Sequence, residues 1–557
     1  MKILVIFFPL FLLAAIHIQC QAQINYTTNW GCSFGSSLNE SPSNITIDSK
    51  GSIYIIGTFI DTMYFSCAQP TQLLMGSPNG YNESGFIVKY DSSGNFIWAQ
   101  NIGYNSILTI TSDASDNIYI FGNGCPRFKT INGTILLCDL GQIMFFAKLD
   151  TSGTCLWARA LNAGSYPSYD DGHGWSITAD TNQNVYIAGD FRGTIDFDPS
   201  YPNTFLLTST QLFSDAVFLA KYNSSGLLEW AINTTSDDNV FNSKIASDNN
   251  GNVYLIGRFS GIMDINPGVD TFLITASCSN GAFIAKFNTL GQLTWAHPIN
   301  NKAWAEIVSV GVDVSDKIWL SGFFTDSTAL DFNNPNNYLI PIGSRNAFVA
   351  KYNNDGTNIW VKQYVGSGNT NPASMFLDDN NNSFIYMSNG QILQYNSSGS
   401  VTDSISLQGS NSTIYAKPYK MNNLFLCGSF ANNITLTSDS GDISLVSKGG
   451  KDVFVSKLCL NNVGVPEYNI QPITIGIFPN PAFESLSITF ESNNMLRGNI
   501  EIYSVTGKIL ICKKFNNISE TNSIVNLNIE QLNCGMYFCK VFTDENVFVK
   551  SFIKQKL

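Results

Sequence analysis

Histidine is nearly missing from this chain: it has three among 557 residues, and His17 falls in the leading segment, which leaves His173 and His297. Metal centres built on several histidines and repeated histidine acid–base schemes are thereby excluded. Charge is sparse as well, at 13% of residues, and 30 basic residues face 42 acidic ones for a formal net charge of −12. A nucleic-acid footprint needs clustered Lys and Arg, so no nucleic-acid partner is expected. No Gly-x-Ser-x-Gly elbow, phosphate loop or dinucleotide fingerprint stands in a credible context. The cysteines form no C-x-x-C pair and keep no repeated spacing, which argues against zinc. Beyond the leader, no apolar run reaches the roughly 20 residues that cross a bilayer as a helix. A period of 3.6 is missing too, and helical repeats go with it.

The leader itself reads as a signal peptide. Lys2 supplies the positive start, Ile3 to Ile16 the apolar stretch, and Cys20-Gln21-Ala22 the small residues at −3 and −1 of a cut after Ala22. Residues 1–22 are therefore expected to be removed. A lipid-anchored reading through Cys20 is disfavoured by Gln19 in front of it. Removal leaves eleven cysteines, an odd number, so at least one has no intramolecular partner. Cys125 and Cys138 fall in one loop, either bridged or as two small buried side chains; an exported protein permits the bridge without requiring it.

What the chain does have is repetition. Trp30, Trp98, Trp157, Trp230, Trp295 and Trp360 recur in one setting. Most close a phrase such as Phe86-Ile87-Val88-Lys89-Tyr90-Asp91-Ser92-Ser93-Gly94-Asn95-Phe96-Ile97-Trp98. Trp30 has no such phrase before it, whereas the last copy, Phe454–Leu458, has no tryptophan after it. A second anchor, Ile53-Tyr54-Ile55-Ile56-Gly57, returns at Ile118, Val185, Val253 and Ile318, with looser copies near Phe384 and Leu424. Its aromatic positions Tyr54, Tyr119, Tyr186, Tyr254, Trp319 and Tyr386 are 65, 67, 68, 65 and 67 residues apart, and Phe425 follows 39 later. Fixed periods of this kind take precedence over a domain count from length.

Each full unit reads as four strands: Ile45–Asp48, Ser52–Phe59, Phe86–Tyr90 and Phe96–Asn101 in the first. The second strand is apolar at consecutive positions, as in a strand covered on both faces. Stacked propeller blades cover both faces and protect strand edges. The expected fold is all-β: a seven-bladed β-propeller over 23–460, closed by an N-terminal strand carrying Trp30. A linker at 461–474 and a small β-sandwich at 475–557 follow. Turns one–two and three–four are short. Connections two–three are long and variable (Ile60–Gly85, Asn123–Ile143, Arg192–Asp215, Ser260–Gly281, Asp326–Asn346), so they gather on one face, where a binding surface is expected.

Two places on that face carry candidate residues. Tyr166, Tyr169, Asp170, Asp171, His173 and Trp175 set aromatic rings beside carboxylates, which suits stacking on and hydrogen bonding to a sugar or peptide. The alternative is that Trp175 fills the apolar slot of Leu108 and Val308. The phrase Asp196-Phe197-Asp198-Pro199 is echoed at Asp264 and Asp331. Alternate oxygen ligands there could hold Ca²⁺, although Asp and Asn before Pro also form ordinary turns. Beyond that weighing of Ca²⁺, no cofactor is expected. His297 follows Trp295-Ala296 and reads as structural.

The last 80 or so residues carry Phe478-Pro479-Asn480-Pro481, Tyr503-Ser504-Val505-Thr506-Gly507-Lys508, and Leu532-Asn533-Cys534-Gly535-Met536-Tyr537, with Lys550, Lys554 and Lys556 at the end. On these motifs the segment resembles the type A C-terminal sorting domain of the bacterial type IX secretion system. That resemblance implies export by this machinery as partner, and release or attachment at the cell surface. The repeat phrases Gly193–Pro199 and Phe218–Tyr222 resemble the β-propeller repeat of large secreted bacterial proteins, which implies fold and location but no agreed activity. The leading reading is a binding or adhesion-type propeller with an extracellular glycan or protein ligand; the alternative is an extracellular polysaccharide hydrolase or lyase.

Overall fold

The structure, a computed structural model, describes residues 25–556 apart from 66–71, 77–82, 131–132, 137–143, 164–170, 199–202, 210–214, 239, 267–269, 279–280, 366–370, 407–413, 421–422, 437–441, 462–473, 492–495, 506–507, 519–522 and 544–546. The described residues form strands and turns, with no helix among them. Between Asn462 and Val463 the chain divides into two compact units.

The repeat region builds one kind of four-stranded antiparallel sheet again and again. Val240–Ser247, Val253–Phe259, Gly281–Phe287 and Leu293–Pro298 pair in that order, as do the strands of 171–233, 305–364 and 372–406. Local chemistry sets each turn. At the end of the first strand the Asp248 carboxylate accepts the backbone N–H of Asn250 (3.0 Å) and Asn252 (2.9 Å), and the Tyr254 hydroxyl donates to it (3.2 Å). Asp side chains favour such turns because they bond their own backbone two residues on. The second strand is buried almost throughout, since neighbouring sheets cover both of its faces. Each such Val, Ile or Phe contributes about 1.5–3 kcal/mol by leaving water.

The recurring tryptophan is a clamp from one sheet to the next. Trp230 donates its indole N–H to the Thr289 carbonyl (3.0 Å) in the three–four turn of the following sheet. Its ring lies on Gly291, which holds φ +77° there. The same bond runs from Trp30 to Ser92, Trp98 to Thr151, Trp157 to Ser224, Trp295 to Asn354 and Trp360 to Ser397, at 3.0–3.3 Å. The repeated lysine adds a second link: Lys89 lies 4.8 Å from the Tyr54 ring and donates to the Thr151 carbonyl of the next turn (2.9 Å). Tryptophan and the turn that opens on Asp or Asn and closes on Gly thus recur together because each is the other's partner.

A Cβ at Gly291 would come within 2.7 Å of the Trp230 ring, whereas at Gly343, also at positive φ, nothing lies within 4 Å. Gly343→Ala should cost only the left-handed conformation, about 1 kcal/mol. Gly291→Ala should cost at least twice that in denaturant unfolding, and equal losses would discount the ring contact.

The last sheet of the repeat region orders Ile414–Tyr419, Asn423–Leu436, Ile443–Asn461 and then Asn25–Gly35, with Trp30 opposite Lys457. That sheet has no three–four turn, because its fourth strand comes from the other end of the chain. The fourth strand of the preceding sheet, Val401–Ser406, contains no tryptophan. The missing clamp and the missing turn coincide. First strands also touch in sequence: Ser41–Ile47 lies against Phe96–Ser112, each later one against the next, and Ile414–Tyr419 against Ser41–Ile47.

Three features depart from the sequence reading. The fourth strand expected at Phe96–Asn101 runs on without a break to Ser112 and becomes the first strand of the next sheet. The long two–three connections are not irregular throughout: Thr62–Phe65, Thr194–Asp196, Ile262–Asp264 and Thr328–Ala329 each begin a short hairpin. Each hairpin pairs with the end of the preceding sheet's fourth strand, as in Asn162↔Asp196 and Phe34↔Phe65, or with residues just after it, as in Thr235↔Asp264 and Asn300↔Ala329. The short sixth unit lacks this hairpin, because only Ser388, Asn389 and Gly390 join Ser383–Met387 to Gln391–Tyr395. In that unit the residue equivalent to Tyr54 is Phe384 and not Tyr386: Phe376 faces Phe384 as Thr46 faces Tyr54.

The C-terminal unit has a three-stranded sheet (Thr474–Phe478, Ser485–Glu491, Ser523–Asn528) and a four-stranded one ordered Ile509–Ile518, Leu496–Ser504, Gly535–Thr543, Val547–Lys554. Leu486, Ile488 and Leu527 from the first share one apolar core with Ile500, Ile502, Val541 and Phe552 from the second.

Candidate functional site

In the sheet spanning 171–233 the first strand Asp171–Ala179 pairs with Val185–Arg192, placing His173 opposite Asp190. A β-bulge falls at Trp175, the slot that Leu108 and Val308 take in their own sheets. An extra residue re-aims the side chains on either side of it. Here both rings reach one carboxylate: the Trp175 indole N–H donates to Asp190 Oδ1, and His173 Nδ1 lies 3.4 Å from Asp190 Oδ2. The two rings sit 5.9 Å apart, inclined at 30°. Asp190 is buried, whereas the His173 side chain is 44% exposed.

Beside them Arg192 donates through Nε to Asp215 Oδ1 (3.2 Å), and its Nη2 lies 3.0 Å from the same oxygen. Burial raises the Asp215 carboxyl above its ordinary range; Arg192 opposes the shift and Asp190 adds to it. All these groups stand at the end of the strands that leads into the 192–215 connection. At the position of Asp190, one residue past the repeated glycine, the other sheets with that glycine carry Thr58, Asn123, Arg258, Phe323 and Ser429. The rim is thus particular to each sheet, whereas the opposite ends are nearly uniform.

Of the residues singled out from sequence, the structure brings His173 and Trp175 together. Asp171 pairs through its backbone with Arg192, its side chain lying outside the described residues, as do Tyr166, Tyr169 and Asp170. Asp190, Arg192 and Asp215 were missed. Their signal was available as departures from the repeat directly after Gly189 and directly before the third strand.

The acidic phrases serve turns. Asp196 Oδ1 accepts the N–H of Asp198 (3.0 Å) and Phe205 (2.8 Å), and Asp264 Oδ1 those of Asn266 (3.0 Å) and Phe272 (2.9 Å). Asp331 accepts from Asn333 (3.1 Å). Among the described residues no group of three or more His, Cys, Asp or Glu side chains is gathered as a metal would need. His297 stacks on Phe332 at 4.5 Å and 8°, and burial lowers its pKa. Cys32 is disulfide-bonded; the side chains of Cys125 and Cys138 lie outside the described residues.

In the C-terminal unit the Pro479-Asn480-Pro481 entry holds the final strand. Asn480 accepts the Ile553 N–H (3.0 Å), Ala482 donates to the Ile553 carbonyl (2.8 Å), and the buried Lys554 ammonium bonds the Phe483 carbonyl. Ser504 and Lys508 close a turn through Ser504 N–H to Lys508 O (2.9 Å), with Gly507 outside the described residues. Gly535 opens the strand in which the Tyr537 hydroxyl donates to Asn533 O (2.9 Å) and its ring stacks on Phe552 at 5.7 Å.

Residues 476–555 match the secretion system C-terminal sorting domain family. An uncharacterised WD repeat-containing protein of Acanthamoeba polyphaga mimivirus is 26% identical over 294 residues, which are 47% of this chain and 21% of that protein. The chain thus spans about a fifth of the length of the curated relative it matches. Among solved structures the Dos1 propeller is similar over 78% of this chain and 95% of its own, at 9% identity and TM-score 0.41. BamB from Moraxella catarrhalis is similar over 78% and 100%, at 10% identity and TM-score 0.33. No helix among the described residues is long and apolar enough to cross a membrane. With its motifs built into one small all-β unit, the C-terminal segment is a sorting domain of the type IX secretion system, and the chain is an exported protein of the cell surface or the extracellular space.

Proposed function

We propose that the exported repeat region is a binding module of the adhesion type, a seven-bladed β-propeller, whose loop face engages an extracellular glycan. In this reading residues 1–22 are removed on export and the sorting unit folds as a β-sandwich. The blade count and the closing strand are supported by the first-strand contacts that return from Ile414–Tyr419 to Ser41–Ile47, and by Asn25–Gly35 in the fourth-strand slot. The observation that carries the ligand reading is the half-buried His173–Trp175 ring pair over the buried Asp190. Aromatic faces with a fixed polar group beside them suit a sugar ring.

Glycan-array binding of the purified chain tests this. His173→Ala, which removes a part-exposed ring and leaves the buried carboxylate with its Trp175 bond, should weaken glycan binding about tenfold, or about 1.4 kcal/mol, more than most interface positions lose on truncation. Unchanged binding would sink the assignment of this rim. A second reading, hydrolysis or elimination on a polysaccharide, draws support from the raised Asp215 carboxyl next to Asp190. Release of new sugar ends during the binding assay, abolished by Asp215→Asn, would favour it over binding alone.

A further inference from the structure

Four arginine side chains are described, and three have acceptors. Arg159 donates to the carbonyls of Gly226 (3.1 Å), Ala158 (3.0 Å) and Ser225 (3.0 Å). Arg192 pairs with Asp215 (3.0 Å), and Arg258 lies 3.7 Å from Glu306. Arg345 differs: its guanidinium carbon lies 4.7 Å from the Trp304 ring and 4.4 Å from that of Phe323, two rings that meet at 78°. No carboxylate stands within ion-pair distance of it among the described residues. The Trp304 indole N–H beneath it is buried with no acceptor. Both unmatched groups are donors.

The placement is equally pointed. Arg345 immediately precedes the third strand of its sheet, as Asp215 does in the sheet of 171–233. Phe323 takes the position of Asp190. The loop-face rim is therefore acidic at one sheet and cationic at the other. Just before Arg345, Gly343 faces open space and Ile342 is 67% exposed. A guanidinium pinned against rings keeps its planar fork oriented and loses little entropy on accepting a carboxylate or sulfate.

We propose that Arg345, fixed by Trp304 and Phe323, anchors an oxyanion of the ligand, which makes that ligand an acidic glycan bearing uronate or sulfate groups. This rests on the glycan reading above and narrows its class. The test measures binding of the purified full chain to polygalacturonate, dextran sulfate, neutral dextran and polyglutamate at 50 and 200 mM salt. An acidic glycan should bind at least tenfold more tightly than neutral dextran and weaken with salt. The more tightly held of polygalacturonate and dextran sulfate identifies the group. Arg345→Met should abolish that preference and Arg345→Lys should retain part of it, both melting within a few degrees of wild type. Neutral dextran bound as well as the acidic polymers, or Arg345→Met bound as wild type, overturns the inference. Tighter binding of polyglutamate than of either acidic glycan overturns the glycan assignment. If Arg345→Met is silent while His173→Ala weakens glycan binding, the inference fails and the proposed function stands.

Discussion

Trp30→Ala should destabilise the repeat region by about 3–5 kcal/mol, the usual cost of truncating a packed tryptophan, and by more than Trp230→Ala. Both indoles rest on a turn glycine and donate to a turn carbonyl. Trp30 has more at stake. Its ring lies 6.2 Å from Phe425 much as that of Trp230 lies 6.1 Å from Tyr186, so the difference is in the strand that carries it. Its strand is held to Ile443–Asn461 by pairing between opposite ends of the repeat region. Loosening Trp30 releases the fourth strand of the last sheet and the clamp on the first sheet together. In a middle sheet the chain on either side keeps the strand in place, so the loss there should be nearer 2 kcal/mol. Equal melting shifts for the two variants would count against the closing role.

Glu40→Gln should raise stability at alkaline pH and leave it unchanged in acid. Glu40 is fully buried just after the strand Asn25–Gly35, where it accepts the Ser36 hydroxyl (2.5 Å) and backbone N–H (3.1 Å). Burial raises its pKa to about 7; the Ser36 bonds and the Lys448 ammonium oppose the shift, and Asp452 adds to it. Asp452, also fully buried, is itself raised by burial, against the Lys448 N–H and ammonium. With the folded value above the unfolded one near 4.5, the protonated group's contribution is complete below pH 4.5 and is lost as pH rises through about 7. The full loss is roughly 3 kcal/mol. Melting curves between pH 4.5 and 8.5 should fall for the wild type and flatten for the variant. Parallel curves would show that Glu40 does not titrate in this window.

Much of the repeat region could be read from periodicity, because the features that recur are ones every sheet needs. Tyr54, Lys89 and Trp98 were visible as a pattern, although their purpose was not: a tyrosine on a turn carboxylate, a lysine over its ring, and an indole on the next turn are contacts between residues some 6 to 62 positions apart. The hairpins inside the long connections escaped notice since two to four residues per strand give too little alternation to detect. The Tyr386 alignment failed for a similar reason: aromatic spacing was matched where the Asp378 turn, six residues before Phe384, marks the true register. The rim groups were hardest to see. Asp190, Asp215 and Arg345 belong to no motif, and each is conspicuous only as the place where its sheet differs from the others.

In the first five sheets of the repeat region the two ends have separate duties. One end carries the carboxylate-capped turn, the left-handed glycine and the indole that grips its neighbour; the other carries Thr58, Asn123, Asp190, Arg258 or Phe323, side chains whose chemistry changes from sheet to sheet. Mutational freedom is therefore decoupled from cohesion. The side chains on that rim can be exchanged one sheet at a time without disturbing the clamps that hold neighbouring sheets together.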